Sequence, residues 1–410
     1  MYDLLSGMRI VEGASFVAGP MGGLYMAQMG AEVIRFDAIG GGLDFGRWPL
    51  TKNGSSLYWE GLNKGKKSIA LNLSSPEGRE LAVALATAPG ERGGMFLTNY
   101  PVDGFLSYER LVVRRPDLIC LRVMGFPDGR PGTDYTVNAA VGVPWMTGEA
   151  DEPGPVNNML AGWDLLAGAY ASFMLLAAER NRRESGRGRE IRVPLSDIAV
   201  TGLSNLGELG QVLLSGKDRP RSGNAVFGAF GRDFITRDGR VMVVAITARQ
   251  WRALLKALTL DAQIAALERE LGVDFTADEG ARFIHRARLF PLFEPAFAAR
   301  GKAELQQAFD ASGVAWAPYQ TLHEAATQDQ ALYADNPVLS DIAHPSGETY
   351  LAAGSAATLP GEVRGLPVRA PRIGEHTDEI LASVLGLSGS AIGALHDAGT
   401  VAGPAGRASG

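Results

Sequence analysis

A carboxylate attacks a carbonyl carbon well only where water is kept away from it, and one aspartate in this chain is a candidate for that. Asp164 stands in Ala161-Gly162-Trp163-Asp164-Leu165-Leu166-Ala167-Gly168, at the head of the apolar run Leu165–Ala178. The run is shorter than the roughly 20 residues needed to cross a bilayer and reads as a helix buried on all sides. An aspartate entering a helix is commonly its N-cap, accepting a backbone N–H. In a dry site the same carboxylate can be a nucleophile, with N–H groups at the helix start stabilising it. From the residues themselves both readings stay open.

The second chemical feature is the basic turn Asn63-Lys64-Gly65-Lys66-Lys67-Ser68, which runs straight into a strand. It reads either as solvated surface or as a cradle in which flexible lysines offer point charges to phosphate. Other candidates fall away. Cys120 lies inside Leu118-Ile119-Cys120-Leu121, the middle of a buried strand, so a structural role is expected. A single cysteine forms no disulfide within the chain and points to a reducing compartment. His285, His323, His344, His376 and His396 are scattered, with no metal-ligand spacing, so no metal is expected. Gly40-Gly41-Gly42 follows a strand without the spacing of a dinucleotide fingerprint, and no nucleophile elbow occurs.

The elements that must position these groups alternate. Strands are expected at Met8–Val11, Glu32–Asp37, Ser68–Leu73, Gly94–Asn99, Leu118–Val123 and Glu190–Leu195, with helices between them. Ser75-Pro76-Glu77-Gly78 opens one helix with a cap and a first-turn proline. Alternation at this spacing predicts right-handed crossovers and a parallel sheet covered on both faces. At 410 residues the chain exceeds the roughly 250–300 at which single cores stop growing, so two domains are expected. A stretch rich in Gly, Arg and Pro near Ser215–Ala229 reads as the linker between them, and Arg237-Asp238-Gly239-Arg240 as the turn of a hairpin. Residues 399–410 are small and Gly/Ala-rich and read as a frayed tail. A formal net charge of −6 argues against nucleic acid as a partner. With no signal-like or membrane-spanning segment, a cytoplasmic protein is expected.

Several segments, taken in order, resemble one family. They are Ala18-Gly19-Pro20, Met29–Phe36, Asn63–Leu73, Ser75–Leu81, Thr98-Asn99-Tyr100, Ser185-Gly186-Arg187-Gly188 and Gly374–Leu381. Their order is similar to that of the family III CoA transferases, the group of formyl-CoA transferase, carnitine CoA transferases and α-methylacyl-CoA racemase. The resemblance implies an α/β fold with a large Rossmann-like domain from residues 1–215 and 330–410, a small domain from 225–325, and an interlocked homodimer. It implies that Asp164 attacks an acyl thioester and that Val17, Ala18, Leu71, Asn72, Asn99 and Tyr100 contact CoA. The family's arginine after the second strand is Ala38 here, so Lys66 and Lys67, with Asn63 beside them, are expected to compensate at the CoA phosphates. The histidine of the racemase branch is replaced by Thr133, which exchanges no proton with an α-carbon near neutral pH, so racemisation is disfavoured. Asp134 beside it is a candidate for orienting a carboxyl group.

Within the family the likeness of Val11-Glu12-Gly13, Asp37–Asp44, Arg47-Trp48-Pro49 and Gly223–Phe234 is to a branch that moves CoA inside one diacid, from C1 to C4 of mesaconyl-CoA. Phe227, Phe230 and Arg232 suggest a closed site suited to retaining the free acid. The expected partners are an acyl-CoA and a second copy of the chain, and no cofactor is expected beyond CoA itself. Two other functions compete: an intermolecular CoA transferase using separate acids, and a CoA-binding protein without catalysis.

Overall fold

A computed structural model describes residues 1–404. The chain divides into two compact units, one of residues 1–141, 158–210 and the chain from 336 on, the other of residues 142–157 and 211–335. The second unit therefore takes in 142–157, which the sequence reading left in the large domain. Backbone pairing explains it: Gly223 donates to the Gly148 carbonyl at 3.1 Å, and the Arg221 side chain donates to the Trp145 carbonyl at 3.0 Å.

The first unit begins β1 (Arg9–Gly13), α1 (Ala18–Gln28), β2 (Glu32–Ala38), α2 (Leu57–Leu62), β3 (Lys67–Leu71), α3 (Pro76–Ala86) and β4 (Met95–Thr98). It continues with α4 (Tyr108–Arg114), β5 (Ile119–Met124) and α5 (Asp134–Ala140); α6 (Val143–Met146) lies in the second unit. Then come α7 (Gly162–Ser185), β6 (Arg189–Pro194) and α8 (Leu195–Asn205). The strands pair in the order β3-β2-β1-β4-β5-β6, all parallel. Alternate strand residues enter opposite layers, as the pleat requires. Ile10, Val33, Leu97, Ile119 and Leu121 pack toward α1 and α7, while Ile34, Phe36, Ile69, Phe96 and Cys120 pack toward α3. Burial pushes the Cys120 thiol up to about 12, which makes it a core residue and a poor nucleophile.

Two expectations fail. The chain near its C-terminus is not wholly a frayed tail: Val401–Ala402 adds an antiparallel strand to β3, and Asn72 donates its backbone N–H to Thr400. Residues 405–410 lie outside the described residues. Nor is α7 buried all round, since Leu166, Tyr170, Phe173 and Leu176 are 48%, 44%, 60% and 36% exposed along one stripe.

The second unit holds the antiparallel sheet β7 (Phe230–Thr236), β8 (Gly239–Ala245) and β9 (Ala315–Pro318), with helices from Ala248 to Ser312 packed on it. Its core is aromatic, with Phe234 and Phe297 stacked at 4.2 Å. Among the described residues no helix is long and apolar enough to cross a membrane.

Candidate active site

In a doubly wound sheet a crevice opens where the strand order reverses, because the connections on either side leave in opposite directions. Here the reversal lies between β1 and β4. A cavity of about 480 Å³ sits there, lined by Ser15, Phe16, Val17, Ala18 and Gly19 after β1, Asn99 to Asp103 after β4, residues 122–125 and 129–133, Leu195 and Asp164. A second recess of about 470 Å³ shares Ser15, Phe16, Asn99, Tyr100 and Pro101 and extends to Ala38, Gly41, Leu43 and Leu73. The fold thus brings Val17, Ala18, Asn99, Tyr100, Thr133 and Asp164 to one cavity.

Asp164 is not the N-cap of its helix. The helix starts at Gly162, and the backbone N–H groups of Trp163 and Asp164 both donate to one carboxylate oxygen of Asp134, at 2.7 and 3.0 Å. Asp134 is buried and does the capping from another helix. Asp134 therefore orients the Asp164 backbone, and it occupies N–H groups at the helix start that were expected to stabilise the Asp164 carboxylate. The Asp164 carboxylate itself has no hydrogen-bond partner among the described residues. Burial, then the like charge of Asp134, push it up to about 7, while Arg47 pulls the other way. One turn further on, a Cβ on Gly168 would stand 2.8 Å from Met21 Cβ and 3.0 Å from the Ala18 carbonyl, so only glycine lets α7 lie this close to the start of α1. The first N–H groups of a helix have no partner within it, and those of Ala18 and Gly19 begin α1 on the cavity wall.

The cavity wall between β1 and α1 is held from below. Asn99 accepts the Ser15 N–H at 3.2 Å and donates to the Ser15 carbonyl at 2.9 Å. Phe16 adopts a left-handed backbone, φ 71°, which costs a non-glycine residue free energy. Asp44 accepts its N–H at 3.0 Å, and Arg35 holds the other oxygen of Asp44 at 2.7 Å. Arg35 also bonds both oxygens of Asp37 at 2.9 Å and lies 4.4 Å from the Trp59 ring.

Lys66 belongs to this buried network and not to a solvent-facing cradle. Its ammonium donates to Glu12 at 2.8 and 2.9 Å, to the Pro20 carbonyl at 2.9 Å and to Asn63 at 3.0 Å, and none of its side chain is exposed. Burial lowers its pKa to about 8. The room for this pair comes from Gly23, whose Cβ would fall 1.8 Å from Glu12 Oε2. Asn63 is likewise committed, accepting from Arg35 at 3.1 Å and donating to the Trp59 carbonyl. Lys67 is partly exposed but paired with Glu32 and Glu379 at 2.7 and 2.6 Å. The Leu71 side chain is wholly buried, Asn72 donates to Gly399, and Leu73 lines the recess in their place. In the second unit Phe230 is core, Phe227 packs on Phe283, and Arg232 lies over Phe290 and pairs with Glu294, so these residues serve their own unit. Glu12, Arg35, Asp44 and Phe16 were missed as supports. For Glu12 and Arg35 the available signal was charge inside the apolar strands of residues 9–13 and 32–38.

The fold is that of a solved CAIB/BAIF family protein from Brucella suis, at a TM-score of 0.74 and 26% identity over 94% of this chain and 100% of that one. Residues 5–377 match CoA-transferase family III. The chain belongs to that family. It is 48% identical to a 2-methylfumaryl-CoA isomerase of Chloroflexus aurantiacus over 98% of this chain and 99% of that protein. It is 29% identical to a succinate–glutarate CoA-transferase of Agrobacterium fabrum over 93% of this chain and 95% of that protein. A succinyl-CoA:mesaconate CoA-transferase of Haloarcula marismortui is 27% identical, over 92% and 95%. Among the described residues no cluster of His, Cys, Asp or Glu is suited to a metal ion.

Proposed function

We propose that the protein moves CoA from C1 to C4 of 2-methylfumaryl-CoA (mesaconyl-CoA), with Asp164 as nucleophile. The unpartnered Asp164 carboxylate on the cavity wall carries this reading, supported by full-length likeness to an isomerase acting on that substrate. Asp164 attacks the C1 thioester, forming an aspartyl anhydride and releasing CoA thiolate. Thiolate then attacks the Asp164 carbonyl, giving an aspartyl-CoA thioester and the free diacid. The C4 carboxylate attacks that thioester and expels thiolate, which finally attacks C4 and frees Asp164. No net proton is consumed. Covalent catalysis divides one difficult exchange into easier steps, and holding the diacid makes the second half effectively unimolecular. The Ala18 and Gly19 N–H groups stabilise oxyanions formed at Asp164, a role supported by their position at the start of α1 on the cavity wall. CoA is held by Val17 and Ala18 on the cavity wall, by Leu73 in the recess, and by Asn99 and Tyr100, which line both.

Incubation with 2-methylfumaryl-CoA and labelled free 2-methylfumarate tests this. Isomerisation without label in the product is expected; label in the product would establish transfer between separate acids. The functional particle is proposed to be a homodimer of interlocked protomers. The exposed apolar stripe Leu166, Tyr170, Phe173 and Leu176 supports this, because such a surface is usually covered by a partner. Light scattering over a dilution series is expected to give twice the 43.4 kDa chain mass, and a folded, active monomer would refute the dimer.

A further inference from the structure

Arg122 and Arg130 line the cavity of Asp164, and the charge of Arg47 acts on Asp164; the first two are already engaged. Arg122 donates to the carbonyls of Pro101 and Leu106 at 2.8 and 3.0 Å, and Arg130 pairs with Asp128 at 3.4 Å. Arg47 has no ion pair among the described residues. Its guanidinium lies over the rings of Phe16 and Tyr58, 5.4 Å from each, and Phe16 is part of the cavity wall. Its backbone, by contrast, is anchored: the N–H donates to the Asp44 carbonyl at 3.2 Å, and the carbonyl accepts the Ser56 hydroxyl at 2.5 Å. Asp44 is the same residue that fixes Phe16, so one loop sets both the ring and the cation that rests on it. The Tyr58 hydroxyl is buried without a hydrogen-bond partner among the described residues, and the charges of Arg47 and Asp164 both act on it. A planar cation clamped between two rings, with its hydrogen-bonding edge unused, is built to take a carboxylate.

We infer that Arg47 selects dicarboxylic acyl groups, pairing with whichever carboxylate of the acid is not bonded to CoA or to Asp164. While C1 is acylated to Asp164, Arg47 holds the C4 carboxylate; after release it holds the C1 carboxylate as C4 attacks. This rests on the reading of Asp164 as nucleophile.

The test is exchange of labelled CoA into an acyl-CoA, which requires only the first step and its reversal, with labelled thiolate attacking the acyl carbonyl of the aspartyl anhydride. It compares C1-linked 2-methylfumaryl-CoA with 2-methylbut-2-enoyl-CoA, in which a methyl group replaces the free carboxylate. Measurements at pH 9 lie above the value of about 7 to which the Asp164 carboxyl is raised in the parent. Arg47→Gln is expected to lower kcat/KM for the diacid thioester by about 10–100-fold, the usual loss for a charge-assisted hydrogen bond, and for the neutral one by less than about threefold. Equal loss on both overturns the assignment. In the unmodified protein, phenylglyoxal labelling of Arg47 should be slowed by CoA with 2-methylfumarate and not by CoA with 2-methylbut-2-enoate. Equal protection by the two acids, or none by either, also overturns it, whether or not the variant folds. If the parent exchanges neither acyl-CoA, or Asp164→Asn exchanges as well as the parent, the nucleophile reading falls and the selector role falls with it.

Discussion

Within β1 and β2 and beside β2 and β3 lie Glu12, Arg35, Asp37, Asp44 and Lys66, all less than 6% exposed, and each meets opposite charge within 3 Å. At the head of α7, by contrast, Asp134 and Asp164 are two like charges, and the Asp164 carboxylate meets no hydrogen bond among the described residues. Both clusters carry the cost of desolvation, which in the first is offset by ion pairs and shared hydrogen bonds. In the second it is left standing and appears as a carboxyl group raised to about 7. The paired cluster holds the cavity wall in place, and the unpaired one leaves a carboxylate on that wall without a hydrogen bond among the described residues. Under the proposed mechanism, buried charge marks function here only where it lacks a partner.

The comparison breaks most visibly at Asp164. Asp164→Asn should lower turnover by more than about a thousandfold while leaving CoA binding intact. It should also stabilise the fold at pH 8. An unfolded aspartate ionises near 3.9, whereas this one holds its proton up to about 7, so the parent loses stability as pH rises between those values and the amide does not. Chemical denaturation at pH 5 and pH 8 reads this; a variant less stable than the parent at pH 8 would mean that Asp164 is a structural carboxylate.

Lys66→Met should cost about 3–5 kcal/mol of stability, because it strands Glu12 in the core. CoA affinity and its salt dependence, measured on folded protein, should barely change, since Lys66 faces Glu12 and not the cavity. Weakened, less salt-sensitive binding at unchanged stability would return Lys66 to the phosphates.

Asp134 joins the two regimes, being both cap and like charge. The parent's kcat/KM should rise with pH through about 7 as Asp164 ionises. Asp134→Asn removes the charge that raises Asp164, so this rise should move to lower pH; an unmoved profile would show that burial alone sets it. Asp134→Ala, which also removes the cap, should cost about 0.5–2 kcal/mol. The smallest effect belongs to Lys67→Ala, within about 1 kcal/mol, since Lys67 is paired at the surface.

Strand–helix alternation, the parallel sheet and the inserted unit were legible because each leaves a local signal: an apolar run of strand length, a capping serine, an Asp-Gly turn. Asp164 was legible as a candidate for the same reason, a carboxylate at the edge of a long apolar run. What the local pattern could not decide was which charges are spent. The cap of α7 comes from Asp134, 30 positions before Asp164, and the counter-charge of Lys66 comes from Glu12, 54 positions away. Lys66 and Lys67 are neighbours in the chain, yet alternation along β3 and its approach turns one into the core and leaves the other at the surface. Residue order determined the elements and the candidates; tertiary pairing decided which carboxylate stayed free, because neutralising a buried charge is a long-range event that no run of neighbouring residues records.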